Sequence, residues 1–195
     1  MADKTLNVIC ICGSLRRGSY NRMVMNALPG LAPANLKLTE APPFADFPLY
    51  NADVQDKGIP PAVLTLAEAV RAADGVIFNS PEYNFSMPGG LKNAIDWVSR
   101  VPNQPFAGKP VALQSAANGT LGGGRMQYDL RRSMIFLDAM TLNKPEILSA
   151  IARKRSMPRP ARSPISRRSA SSSSSSKPLP SSSSASAAST EQRAE

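Results

Sequence analysis

Leu6-Asn7-Val8-Ile9-Cys10-Ile11-Cys12 runs straight into Gly13-Ser14-Leu15-Arg16-Arg17-Gly18-Ser19-Tyr20-Asn21, and the fold is decided at that junction. The first segment is almost wholly apolar and rich in β-branching. That pattern predicts a strand buried on both faces of a parallel sheet. The polar loop behind it opens a helix over 21–31, closed near Pro29-Gly30. Cys10 and Cys12, two apart on such a strand, face the same side.

Outward from this unit, strands and helices alternate. Short strands are expected at 36–39, 75–79 and 110–114, and helices at 62–73, 88–100 and 126–139. The Pro- and Asp-rich stretch 42–61 reads as a long surface loop. A fifth strand fits within 141–149, interrupted by Pro145. Such alternation implies an α/β domain with a parallel sheet covered on both faces, joined by right-handed crossovers.

After Ser149 the composition changes. Residues 1–150 hold 14 Lys/Arg and 12 Asp/Glu, whereas residues 151–195 hold 9 and 2. The chain's net charge of +9 therefore lies mostly in its last part, and a high pI is no reason to read the domain as nucleic-acid-binding. Pure serine runs occupy 171–176 and 181–184. Residues 151–195 are expected to be a disordered basic Ser/Arg/Pro-rich tail, because they cannot bury enough apolar surface to offset ordering. The domain thus spans 1–150, and it lacks the final helix that should follow strand five. So abrupt a switch suggests a shifted reading frame near 147–152. One codon choice for 152–159, GCC-AGA-AAG-CGT-TCG-ATG-CCC-AGG, reads from its third base as Gln-Lys-Ala-Phe-Asp-Ala-Gln.

The chain contains no His and two Cys. Ser-His and Cys-His nucleophile chemistry is thereby excluded, and no zinc-ligand set is available, so no metal site is expected. No side-chain acid or base is assigned as catalytic. A disulfide across two same-facing strand positions is disfavoured, and unpaired thiols suit a reducing cytoplasm. No signal peptide or spanning segment is legible.

Three segments follow strands at their carboxyl ends, where open parallel sheets bind ligands. The loop 13–21 lacks the Gly-x-Gly-x-x-Gly spacing of a dinucleotide site. It offers hydroxyls, an Arg, an Asn and the N–H groups of a helix N-terminus, the array a single phosphate needs. A solvated polar loop is the plainer alternative. The stretch 81–93 combines a Pro turn, two aromatics and a Pro-Gly-Gly helix start, which suits a flat heterocycle as well as an ordinary helix-opening loop. Trp97 and Met87 read as packing residues. The third segment, 115–125, is small and Gly-rich, so backbone can approach a ligand closely.

Gly-Ser-Leu-Arg-x-x-Ser-x-Asn at 13–21, Pro-Glu-Tyr-Asn-x-Ser-x-Pro-Gly-x-Leu-Lys-Asn-Ala-Ile-Asp-Trp at 81–97 and Asn-Lys-Pro-Glu at 143–146 together resemble the NADPH-dependent FMN reductase and quinone reductase family, chromate reductases included. The resemblance implies a flavodoxin-like, doubly wound five-stranded sheet of order 2-1-3-4-5. It implies FMN as cofactor and NADPH or NADH as cosubstrate, with electrons passed to quinones, flavins or similar acceptors. By resemblance, Ser14, Arg16, Ser19 and Asn21, with backbone from Leu15 and Tyr20, hold the FMN phosphate. Pro81, Glu82, Tyr83 and Asn84 line the isoalloxazine, and backbone near Ser115 and Ala117 meets its other edge. A homodimer or homotetramer is implied, with Arg125, Tyr128 and Glu146 as interface candidates. Two readings compete: a flavodoxin-like electron carrier without direct NAD(P)H use, and a degenerate non-enzymatic domain whose basic tail binds nucleic acid. Neither a membrane nor a nucleic acid is the expected partner of the domain.

Overall fold

The computed structural model describes residues 4–151. The expected disorder of the tail therefore concerns residues outside the described ones, apart from Ile151. The first strand, β1, is Leu6–Cys12, and the 13–21 loop leads into helix α1, Tyr20–Ala27, with a 3-10 turn at Leu28–Gly30. There follow β2 (Leu36–Glu40), α2 (Ala52–Gln55), α3 (Pro61–Ala72), β3 (Gly75–Asn79) and α4 (Gly89–Val98). β4 (Pro110–Ala117), α5 (Gly124–Phe136), β5 (Met140–Thr141) and β6 (Ile147–Ala150) complete the described chain.

All strand pairs are parallel, in the order β2-β1-β3-β4-β5. The fifth lane of the sheet is filled twice. β5 pairs with Pro110–Val111 and β6 with Gln114–Ala117, both on β4. Pro145, which has no N–H to give a ladder, lies in the gap between them, after a cis Lys144–Pro145 bond. The expected order 2-1-3-4-5 and the interrupted fifth strand are both present.

Alternate residues of the central strands serve two layers. Ile9, Ile11, Val76, Phe78, Val111 and Leu113 form one core with Val63, Leu66 and Val70 of α3, Leu91, Ile95 and Trp97 of α4, and Met126, Leu130 and Met134 of α5. Cys10 and Cys12 point the other way, buried with Met25 of α1 beside Leu28, Leu38 and Ile77. Burial, with Glu40 nearby, pushes the Cys10 thiol up to about 11, so it stays protonated and unreactive. Among the described residues, α1 is the one helix on this second face, and no helix follows β6. Beside α1 the sheet leaves an apolar concavity of about 450 Å³, lined by Val8, Ile77, Ala112, Met140 and Leu142. Met140 and Leu142 are exposed there.

Three local expectations need correction. β4 runs to Ala117 rather than stopping at 114, because Gln114–Ala117 find a partner in β6. α5 starts at Gly124 and ends at Phe136. The stretch 42–61 is more than a surface loop: it contains α2, capped by Asn51, whose Oδ1 accepts from Asp53 N–H at 2.8 Å. It also buries Phe44 and Phe47. α4 anchors it. Trp97 Nε1–H donates to Pro48 O at 2.7 Å, and Asn93 accepts from Tyr50 N–H at 2.8 Å. The Tyr50 ring meets Trp97 edge-on at 5.1 Å.

Trp97 is fully buried and joins the sheet core to that loop. Trp97→Ala should cost about 3–5 kcal/mol of unfolding free energy in urea titration, as large core truncations do. A loss under about 1 kcal/mol would contradict this role.

Candidate functional site

Strand order places the switch point between β1 and β3, where successive loops leave toward opposite faces. A cleft of about 770 Å³ opens there, at the carboxyl ends of β1, β3 and β4. Cofactor and substrate pockets commonly span about 300–1,000 Å³.

One end of the cleft is built by the β1–α1 loop. Gly13 is needed because a Cβ there would meet Ser80 Oγ at 2.4 Å. Ser14 is buried, and its Oγ accepts from Arg16 N–H at 3.3 Å. Ser19 caps α1, its Oγ accepting from Arg22 N–H at 3.4 Å. Both hydroxyls therefore keep their own protons to give. The N–H groups of Tyr20 and Asn21 stand in the first helical turn, where the helix offers no acceptor. Arg16 lies over the Tyr20 ring at 5.3 Å. Donors, a guanidinium and a helix N-terminus stand together here with no acid among them, an arrangement that suits an anion.

The other end is built by the loop after β3 and the loop after β4. Pro81, Glu82 and Tyr83 line one wall. Tyr83 and Ser86 exchange both backbone hydrogen bonds, at 2.9 and 3.0 Å, around a tight turn. The turn residues Asn84 and Phe85 have φ of 50° and 69°. Left-handed backbone is uncommon at a bulky residue and costs roughly 1–3 kcal/mol. The opposite wall is Ala116 to Gly123. Gly123 has φ of 91°, and a Cβ there would meet Ser115 Cβ at 2.8 Å. It precedes α5 and has no side chain to cap it. Glu82 does so from the facing loop, its Oε2 accepting from Met126 N–H at 3.2 Å. Arg125 stands 3.5 Å from the same carboxylate and 4.1 Å from the Phe85 ring centroid.

Of the residues expected from the sequence, Ser14, Arg16, Ser19, Tyr20, Asn21, Pro81, Glu82, Tyr83 and Ala117 line this cleft. Leu15, Asn84 and Ser115 are not among its lining residues. The Leu15 side chain is exposed, and Ser115 is turned inward to accept from Gln127 Nε2–H at 2.9 Å. Asn21 lines the cleft but its amide is already engaged: Nδ2–H donates to Ala116 O, and Oδ1 accepts from Ala116 N–H, both at 2.9 Å. It joins the first loop to the third rather than offering its side chain to a ligand. Lining residues not assigned to the cleft from the sequence are Ala116, Asn118 to Gly123, and Arg125, the last having been read as an interface candidate. Their signal was the Gly-rich composition of the third loop as a whole.

Residues 6–154 match the family model described as NADPH-dependent FMN reductase. A quinone reductase of Escherichia coli strain K12 is 52% identical over 159 residues, covering 81% of this chain and 84% of that protein. An NAD(P)H-dependent FMN reductase of Pseudomonas aeruginosa is 49% identical over 147 residues, covering 75% and 79%. Among solved structures, the flavoenzyme NAD(P)H:(acceptor) oxidoreductase FerB of Paracoccus denitrificans superposes with a TM-score of 0.67. It is 34% identical and covers 73% of this chain and 78% of that one.

The paired bonds of Asn21 generate a test. Asn21→Asp sets a carboxylate oxygen against the Ala116 carbonyl and removes one bond. Stability should fall by about 1–3 kcal/mol, the usual cost of a buried unsatisfied polar group. Denaturant unfolding of the variant beside the parent measures it, and equal midpoints would show that this pair does not join the loops.

Proposed function

The chain belongs to the NADPH-dependent FMN reductase family, and from that premise we propose that its cleft holds FMN, with the phosphate at the α1 end and the ring between the second and third loops. The protein is an FMN-dependent NAD(P)H oxidoreductase that delivers electrons to a quinone. The observation that carries the placement is the polarity of the cleft. Donors gather at one end, and backbone with small residues lines the other.

Ser14 and Ser19 give hydroxyl protons to the phosphate, Tyr20 and Asn21 give N–H groups, and Arg16 gives charge. Pro81 to Tyr83 offer peptide groups along one edge of the ring, and Ala117 offers backbone along the other. FMN, when bound, would supply the hydride and electron transfer between nicotinamide and acceptor, and these residues would hold and orient it. No side chain of the cleft is asked to move a proton. Glu82 and Arg125 neutralise each other, and the chain has no His. The electron-carrier reading is weakened by charge, since residues 1–150 are slightly basic.

A homodimer or homotetramer is part of the same proposal. Tyr128 is exposed on α5, with Glu146 beside it raising its pKa. The phenyl ring of Phe136 and the side chain of Ile135 are also exposed on that helix. Free buried thiols support a cytoplasmic setting, and no described helix is long and apolar enough to cross a membrane.

We also propose that the domain ends near residue 150 and that the residues after it come from a shifted reading frame. The family match stops at 154, where Arg, Pro and Ser take over the composition. The gene's nucleotide sequence decides this: an alternative frame beyond codon 147 should encode an amphipathic helix, and absence of one refutes the idea.

For the enzyme reading, NADPH should bleach the flavin absorbance of FMN-loaded protein in stopped flow, and a quinone should restore it. A loaded flavin that NADPH leaves oxidised would favour the electron carrier. Arg16→Ala should weaken FMN binding by about 1.5–3 kcal/mol, the range for a charged hydrogen bond. Unchanged affinity in the folded variant would overturn the phosphate assignment.

A further inference from the structure

The loop after β3 and helix α5 hold each other through two carboxylates that run in opposite directions. Glu82, on the loop, accepts from Met126 N–H in the first turn of α5. Asp129, one turn further along α5, accepts from the Ser86 hydroxyl and, at 3.5 Å, from Met87 N–H, both on the loop. Its other oxygen takes Arg132 at 2.6 Å. The Ser86 hydroxyl is the main cause that holds the Asp129 carboxyl below its usual range, so the clasp is ionised near neutral pH. Between the two clasps lies the turn at Asn84 and Phe85, with both residues left-handed. Conformations of this kind persist where surrounding contacts over-determine them. Ser86 closes the turn, and Asp129 holds Ser86.

We propose that Asp129 is a positioning residue for the ring end of the cleft. Through Ser86 it keeps the Asn84–Phe85 turn in its left-handed form, and so fixes the peptide groups of Pro81 to Tyr83 against the flavin ring. Asp129 is not among the cleft's lining residues and lies in none of the three sequence motifs. The inference rests on the FMN placement above. It assigns Asp129 to the ring and not to the phosphate, and that separates its effect from that of Arg16.

The test titrates flavin-free full-length protein with FMN and with riboflavin, which has the ring but no phosphate. Asp129→Ala should weaken both by the same factor, about fivefold, which corresponds to one ordinary hydrogen bond. Arg16→Ala should weaken FMN and leave riboflavin unchanged. Asp129→Asn, which keeps an acceptor for Ser86, should recover most of the loss, and Ser86→Ala should reproduce it. In a Phe85→Gly background, where the turn is relaxed, Asp129→Ala should change either affinity by less than about twofold, as coupled sites require. A purely structural role would lower the melting temperature and keep its effect undiminished beside Phe85→Gly, and that result overturns the proposal. So does unchanged riboflavin affinity in Asp129→Ala. Should that variant fail to fold, Ser86→Ala carries the same comparison. Parent protein that binds neither flavin overturns the FMN placement itself.

Discussion

β1 lies between β2 and β3, in register with both: Ile9 faces Thr39 on one side and Val76 on the other. Because the chain returns from β1 to β2 on one side and then crosses to β3 on the other, the loops after β1 and β3 leave toward opposite faces of the sheet. The gap between them cannot be closed by either helix, since each helix turns away from it. The cleft is thus a consequence of strand order. What the sequence around it contributes is the means of holding three diverging loops at fixed separation. Long side-chain to backbone bonds do this: Asn21 to Ala116, and Glu82 to Met126.

These bonds explain which parts of the molecule were legible in the amino-acid sequence. β1 and β3 agree with expectation at both ends, since burial on both faces leaves a continuous apolar run that stops where the loop begins. The parallel α/β class was legible from alternation and the split fifth strand from Pro145, whereas the order of the sheet came from the family resemblance. The end of β4 was not legible. Ser115, Ala116 and Ala117 have little strand propensity of their own, and they are strand because β6 pairs with them. Asn21 was read as a ligand group because an Asn at a helix start suits an anion. Its actual partner lies 95 residues away, and no local pattern announces such a pairing. The Ser115 hydroxyl is likewise spent inside the protein, on Gln127.

Charge in the cleft follows a comparable division of labour. The α1 end keeps an exposed guanidinium and unspent donors, whereas at the α5 end the charges are matched among themselves. Glu82 meets both Arg125 and the α5 N-terminus, so the helix dipole is answered by protein before a ligand arrives. That leaves the α5 end close to neutral. A redox cofactor in such a place is tuned chiefly by where backbone N–H groups point. Backbone direction there depends on a turn that a Phe does not readily adopt, which gives the contacts holding that turn more weight than their distance from the cleft suggests.

The order in which the chain completes this site bears on its last residues. The third loop needs β6: a Cβ on Gly122 would meet Ser149 N at 2.9 Å, and Ile151 N–H donates to Ala117 O at 2.9 Å. With Ile151 in place, every described contact that shapes the cleft has been made. The family match continues only to residue 154. The match thus spans every residue whose described contacts shape the site. On the face that carries α1, the described residues leave an apolar concavity at Val8, Ile77 and Ala112. Apolar area left in water forgoes roughly 25 cal/mol per Å², and single domains have only about 5–15 kcal/mol of stability to draw on. Among the described residues, α3, α4 and α5 cover one face of the sheet and α1 lies on the other. Binding FMN at the switch point, where it would touch loops from β1, β3 and β4 together, would then stabilise the folded chain by mass action as well as equip it for chemistry.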